Sequence, residues 1–156
     1  GNLAVGIAQH MGMPPHEVGY LRDAARIHDV GKIGVTDDVL AKPAPLSPQE
    51  WVMMKRHPEI GESIIKPITS LHPLCDIVRH HHEKLDGSGY PDGLKDEQIA
   101  LPVRILAVAD IYDALTTDRP YRKAMVHPEA VNVMRGMVGK IDQKVVDALL
   151  EILAKS

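Results

Sequence analysis

The sequence predicts an all-α fold, a single-domain bundle of about seven to eight helices. Three observations carry this. Apolar residues recur at three- and four-residue spacing through most of the chain, and no segment alternates convincingly as a strand would. A length of 156 residues suffices for one hydrophobic core and is too short for two ordinary ones. With no Phe and a single Trp, that core has to be assembled from Leu, Ile, Val, Ala and seven Met, side chains that suit closely packed helices.

A first helix is expected around Leu3, Ile7, Ala8 and Met11, entered part-way because little chain precedes it. After Pro14-Pro15, Glu17 to Asp29 reads as a second helix with Leu21, Ala24, Ala25 and His28 on one face. Gly31 and Gly34 end it, and a turn through Val39-Leu40 leads into the loop Lys42-Pro43-Ala44-Pro45. Ser47-Pro48-Gln49-Glu50 is a capping box with Pro at the first helical position, so a third helix runs from Pro48 to about Arg56. Pro58 disfavours helical geometry at His57 and opens a fourth, to Lys66. A fifth, from about Leu71 to Glu83, carries Leu74, Ile77, Val78 and His81 on one stripe. The Gly-, Asp- and Pro-rich loop from Lys84 to Ala100 is long enough to suggest binding. Pro102 to Thr117 is apolar nearly all round and should be the buried centre; Pro128 starts a seventh helix, and Lys144 to Ala154 forms the last.

A net charge of −3 provides no basic field for long nucleic acid, and no apolar stretch is long enough for a membrane span. Cys75 is alone, so no internal disulfide forms and a reducing, cytoplasmic setting is expected.

The chemistry concentrates in five patches: His28-Asp29, Lys32, His57, His80-His81-His82 and Asp110. Nitrogen and carboxylate donors scattered this widely, with one cysteine, point to a hydrolytic metal centre rather than a structural zinc clip. Asp110 lies in the most apolar helix, where a lone carboxylate requires a cation; an ion pair with Arg104 is the plain alternative. Asp113, on the same face, is a candidate acceptor behind a ligand histidine. His57-Pro58-Glu59 is echoed by His127-Pro128-Glu129, far from other donors, so the dipeptide alone marks only a helix start. On a helix, three consecutive histidines point about 100° apart, so at most two face one cavity. His81 follows the apolar stripe, and periodicity leaves His80 and His82 open. Gly87 and Gly89 let backbone approach a ligand, Tyr90 offers a ring and a hydroxyl, and Arg119-Pro120-Tyr121-Arg122 is placed to reach anionic oxygens.

The segments His28-Asp29-Val30-Gly31-Lys32-Ile33-Gly34, His57-Pro58-Glu59-Ile60-Gly61, His81-His82-Glu83, Asp86-Gly87-Ser88-Gly89-Tyr90-Pro91 and Ala109-Asp110-Ile111-Tyr112-Asp113-Ala114-Leu115-Thr116 resemble, in order and spacing, the HD-GYP domain of the HD phosphohydrolase superfamily. The likeness spans residues 1–156. It implies a bacterial cyclic di-GMP phosphodiesterase yielding linear pGpG and, in many members, GMP, with two or three divalent metal ions, commonly iron or manganese. By the family pattern the metal ligands are His28, Asp29, His57, His81, His82 and Asp110, which selects His82 over His80. Lys32, Arg119 and Arg122 are then expected on phosphate oxygens, and Gly89, Tyr90 and Pro91 beside the substrate. The family also implies a diguanylate cyclase (GGDEF) partner for some members and an input domain such as a receiver, as in two-component systems. Its pattern places a further metal-binding Glu and His upstream of Gly1, so the domain is expected to be truncated at its N-terminus. Ile141-Asp142-Gln143 stands where the family has Phe-Asp-Pro.

The reaction expected is in-line attack of water on phosphorus, with Asp29 and Lys32 as the catalytic residues: Asp29 bridging two ions, Lys32 countering developing negative charge. The rival expectations are a non-catalytic receptor or GGDEF-docking module, and an HD hydrolase of another nucleotide.

Overall fold

In the computed structural model, which describes residues 1–156, no strand forms; the isolated bridges Asp86 with Lys95 and Arg119 with Arg122 are the only extended pairings. The helices are α1 (Asn2–His10), α2 (Pro15–Ile27), a single turn α3 (Asp37–Leu40), α4 (Pro48–Met54), α5 (His57–Ile65), α6 (Cys75–His80), α7 (Leu101–Thr116), α8 (His127–Arg135) and α9 (Gln143–Ala154). Short 3₁₀ segments cover Val30–Gly34, Thr69–Leu74 and Asp96–Gln98.

The capping signals act as expected. Ser47 Oγ accepts from the Glu50 amide while the Glu50 carboxylate accepts from the Ser47 amide, and Pro48 occupies the first turn of α4. Asp142 caps α9 by accepting from the Lys144 amide. Pro102 and Pro128 sit in the first turns of α7 and α8, where a missing N–H costs nothing.

Helix α7 is the axis of the bundle. Val103 and Ile105 to Ala109 are all buried, and the helix packs against α1, α2, α6, α8 and α9. Around it Ile7, Leu21, Val78, Met134, Val145, Val146 and Leu149 close an aliphatic core containing no aromatic ring. Burying each large side chain contributes roughly 1.5–3 kcal/mol relative to exposure. Of the seven methionines only Met134 is fully buried, so the core is more branched-aliphatic than composition suggested.

Three boundaries depart from the sequence reading, and each matters for the site. Helix α2 ends at Ile27, so His28 is its C-cap and Asp29 leads into the 3₁₀ turn. His57 is the first residue of α5 despite the following Pro58, because an N-terminal residue needs no helical hydrogen bond through the proline nitrogen. The expected fifth helix is broken: Pro73 lies in the 3₁₀ turn, α6 spans only Cys75–His80, and His81 and His82 occupy the turn that follows.

Candidate metal centre

Glycine brings the first two patches together. A Cβ on Gly31 would overlap the carbonyl oxygen of His57 and lie against the amide of Gly61, so only glycine lets the turn after α2 press onto the start of α5. That contact sets Asp29 beside His57. Gly89 plays the same part on the other side. A Cβ there would overlap the backbone of His82, Glu83 and Lys84, and the Tyr90 amide donates to the His82 carbonyl at 3.3 Å. The loop therefore lies directly on the turn that carries the histidines.

Three imidazoles share one local device. His28, His57 and His81 each place Nδ1 at 2.7–2.8 Å from the carbonyl oxygen three residues earlier: Ala25, Met54 and Val78. A carbonyl can only accept, so Nδ1 carries the proton and, in the neutral ring, Nε2 presents a lone pair. All three Nε2 atoms turn inward. Those of His57 and His81 are 3.3 Å apart, with no proton to share when both rings are neutral. His28 Nε2 is buried without a hydrogen-bond partner.

Asp29 lies among them. Its Oδ1 is 3.4 Å from His57 Nε2 and 3.7 Å from His81 Nε2; its Oδ2 is 3.3 Å from His28 Nε2 and 3.1 Å from Lys32 Nζ. Asp110 Oδ1 closes the far side at 3.4 Å from His28 Nε2. One donor atom from each of Asp29, His57, His81 and His82 lies within 4.8 Å of the others. Four imidazoles and two carboxylates thus converge from α2, the 3₁₀ turn, α5, the turn after α6, and α7. Inward lone pairs with no proton between them fit a divalent cation.

Residues 1–145 match a family described as the HD domain. The chain belongs to the HD domain family. Over 147 residues it is 42% identical to "Cyclic di-GMP phosphodiesterase response regulator RpfG" of Xanthomonas campestris, covering 92% of this chain and 39% of that protein. Over 128 residues it is 40% identical to "3'3'-cGAMP-specific phosphodiesterase 3" of Vibrio cholerae, covering 82% of this chain and 28% of that one. A solved HDG"Y"P protein of Bdellovibrio bacteriovorus superposes with a TM-score of 0.78 at 24% identity, over 97% of this chain and 49% of the other, which establishes the likeness of fold. The chain spans about two fifths of the length of the first of these relatives.

In this HD domain the carboxylates and imidazoles of the site set one another's charge. Burial pushes the Asp29 carboxyl upward, but His57, His81, His28 and Lys32 outweigh it and hold Asp29 well below the usual carboxylate range. Asp110 is also lowered: burial opposes ionisation, and His28 overcomes it. Burial, with the neighbouring His81 and His57, pushes His82 down to about 2, so its ring stays neutral and available as a donor. His28 is raised because Asp110 and Asp29 outweigh burial, so a cation, proton or metal, is favoured at that nitrogen.

The remaining predicted residues divide. His80 points away, bridging Asp76 at 2.9 Å and Asp92 at 2.7 Å. Arg104 pairs with Asp142 at 3.1 Å rather than with Asp110. Asp113 is exposed and supports no histidine. Arg122, expected on phosphate, instead donates to the carbonyls of Ala114 and Leu115 at the end of α7 and to that of its neighbour Lys123, so its guanidinium is engaged with backbone oxygens. Arg119 is exposed in the same turn. His127 joins α8 to α7 through a 2.9 Å hydrogen bond between Nδ1 and the Tyr112 hydroxyl. Tyr90 stacks its ring on His82, with centroids 5.0 Å apart and planes 19° from parallel.

Glu83 is a supporting residue that sequence reasoning left unassigned. It is 3% exposed, and its two oxygens accept from the amides of Asp92 at 2.7 Å and Leu94 at 3.0 Å, pinning both ends of the turn beyond Pro91. Its position next to His82 and before a Gly-rich loop was the available signal.

Proposed function

We propose that this HD domain hydrolyses cyclic di-GMP to linear pGpG, and onward to GMP, as a metal-dependent phosphodiesterase. The observation that carries the reading is the set of Nε2 lone pairs, locked inward by Nδ1–H bonds to backbone carbonyls around a doubly engaged Asp29. The substrate class comes from the relatives named as cyclic dinucleotide phosphodiesterases, which match over most of this chain. We assign two divalent ions, iron or manganese, to this donor set: His57, His81 and His82 would hold one and His28 and Asp110 the other, with Asp29 serving both, a division supported by the 3.3–3.7 Å separations of the Asp29 oxygens from the Nε2 atoms of His28, His57 and His81. A third ion is compatible with the family pattern.

Bound divalent ions supply Lewis acidity and positive charge at the scissile phosphate. Asp29 would be shared by the two ions, because its Oδ1 faces His57 and His81 while its Oδ2 faces His28 and Lys32. Lys32, paired with Asp29 and half exposed, would counter the charge that a non-bridging phosphate oxygen gains as the bond to the leaving ribose oxygen breaks. Arg119 is assigned to the distal phosphate, and Gly89, Tyr90 and Pro91 to the wall of the site. In the full-length protein we assign an input domain of the receiver type, following the response regulator among the relatives, a cytoplasmic location, and docking of a GGDEF partner on the Asp86–Pro91 loop.

The test is a chromatographic assay of protein reconstituted with Mn²⁺ or Fe²⁺ under reducing conditions, offered cyclic di-GMP, 3'3'-cGAMP and cyclic mononucleotides. Turnover of cyclic di-GMP to pGpG or GMP supports the proposal; turnover of only another nucleotide replaces the substrate. Metal-replete protein inert to every substrate overturns the catalytic reading.

A further inference from the structure

Beside the metal centre lies an open groove of about 710 Å³ with its inner wall formed by His82, Lys84 and Tyr90 and its outer wall by Trp51 and Val52 of α4 and by Lys55, which follows that helix. Its volume falls in the range of small-molecule sites. Three features distinguish it from ordinary surface. It opens directly onto a metal-binding histidine. It is lined by two lysines, Lys55 and Lys84, and Lys55 Nζ stands 5.5 Å from the centre of the Tyr90 ring. Its rim also presents an aromatic ring that packing does not explain: Trp51 is 45% exposed, Val52 is 64% exposed, and α4 buries none of its residues. Tyr90 already stacks on His82, so Trp51 is the aromatic face left free in the groove.

An indole face beside two cations, a short reach from the phosphate-cleaving centre, matches a nucleotide: a planar base on one side and anionic oxygens on the other. We propose that this groove is the purine-base subsite of the substrate, with the base stacked on Trp51 and the adjoining phosphate between Lys55 and Lys84. The inference rests on the nucleotide phosphodiesterase reading and adds a residue that sets substrate preference.

Trp51 is the sole tryptophan, so every change in indole emission reports this position. Titrating the metal-loaded protein with cyclic di-GMP should quench that emission saturably, whereas dimethyl phosphate, a diester without any aromatic ring, should not; bis(p-nitrophenyl) phosphate, whose nitroaryl rings quench indole directly, serves only as the purine-free substrate in the hydrolysis assays. Trp51→Ala should raise KM for cyclic di-GMP about tenfold to a hundredfold, as loss of one base stack does, with kcat nearly unchanged. Hydrolysis of the purine-free diester should be unaffected, and Trp51→Phe should restore most of the affinity. Hydrolysis of cyclic di-GMP with unaltered emission, or an Ala variant that slows both diesters equally, overturns the subsite while leaving the function standing. Saturable quenching without hydrolysis upholds the subsite and removes the catalytic reading. Absence of both overturns the two together.

Discussion

Asp29 is within 3.7 Å of three imidazole nitrogens and a lysine ammonium, so it is the residue on which the centre turns. Asp29→Ala should abolish cyclic di-GMP hydrolysis and lower bound metal, while far-UV circular dichroism stays that of wild type because the side chain supports no part of the aliphatic core. Retained turnover would remove the bridging assignment. Lys32→Ala removes a charge rather than a ligand, so kcat should fall by about ten- to a thousandfold with metal content unchanged; an unaltered rate would take Lys32 out of the mechanism. At this scale the sequence was most readable where chemistry is sparse. Asp110 in an apolar helix needed a positive partner, and the structure provides His28. Arg122 was unreadable, since a free guanidinium and one capping α7 look the same until the chain folds back.

Among the elements, the turns carry the site and the helices only aim them. Gly31→Ala would force the turn after α2 off the start of α5, an overpacking that costs roughly 1–3 kcal/mol. Differential scanning calorimetry should therefore show a lower Tm, with weakened metal binding; unchanged values of both would mean that the contact is not required. The loop beyond Tyr90 is held by Glu83 and by Arg79, which grips Asp92 with two nitrogens at 2.8 and 3.0 Å. Arg79 and then His80 hold Asp92 well below the usual carboxylate range. A depressed pKa of this sign stabilises the fold above the unfolded carboxyl value, near 4, and the gain disappears as pH falls through the folded value. Asp92→Asn should accordingly be less stable than wild type at pH 7, with the two converging only in acid well below pH 4; a gap independent of pH would refute the ionic role. Sequence periodicity located the helices α4, α7 and α9 well because caps and apolar stripes are local. It missed both limits of the fifth helix, which starts only at Cys75 after a 3₁₀ turn containing Pro73 and stops at His80, where Gly89 folds back onto the turn that follows. That break is why His81 and His82 both reach the centre although helical geometry would have spread the three histidines apart.

For the molecule as a whole, residues separated by most of the chain meet only when the bundle closes around α7, so folding and metal binding are linked. Removing metal with a chelator should lower Tm, and adding back Mn²⁺ or Fe²⁺ should restore it; indifference to the chelator would mean that the ions contribute nothing to the fold. The all-α architecture was legible in length, periodicity and composition, and the donor patches were legible as a metal centre from their chemistry, whereas the choice of His82 over His80 came only from the family resemblance. No local rule says that α2, α5 and α7 present their polar residues to one point. The most direct test is the metal content of the purified protein, measured by elemental analysis beside Asp29→Ala. The account predicts about two divalent ions per chain in wild type and a clear loss in the variant; wild-type protein carrying only background metal after reconstitution under reducing conditions would contradict it.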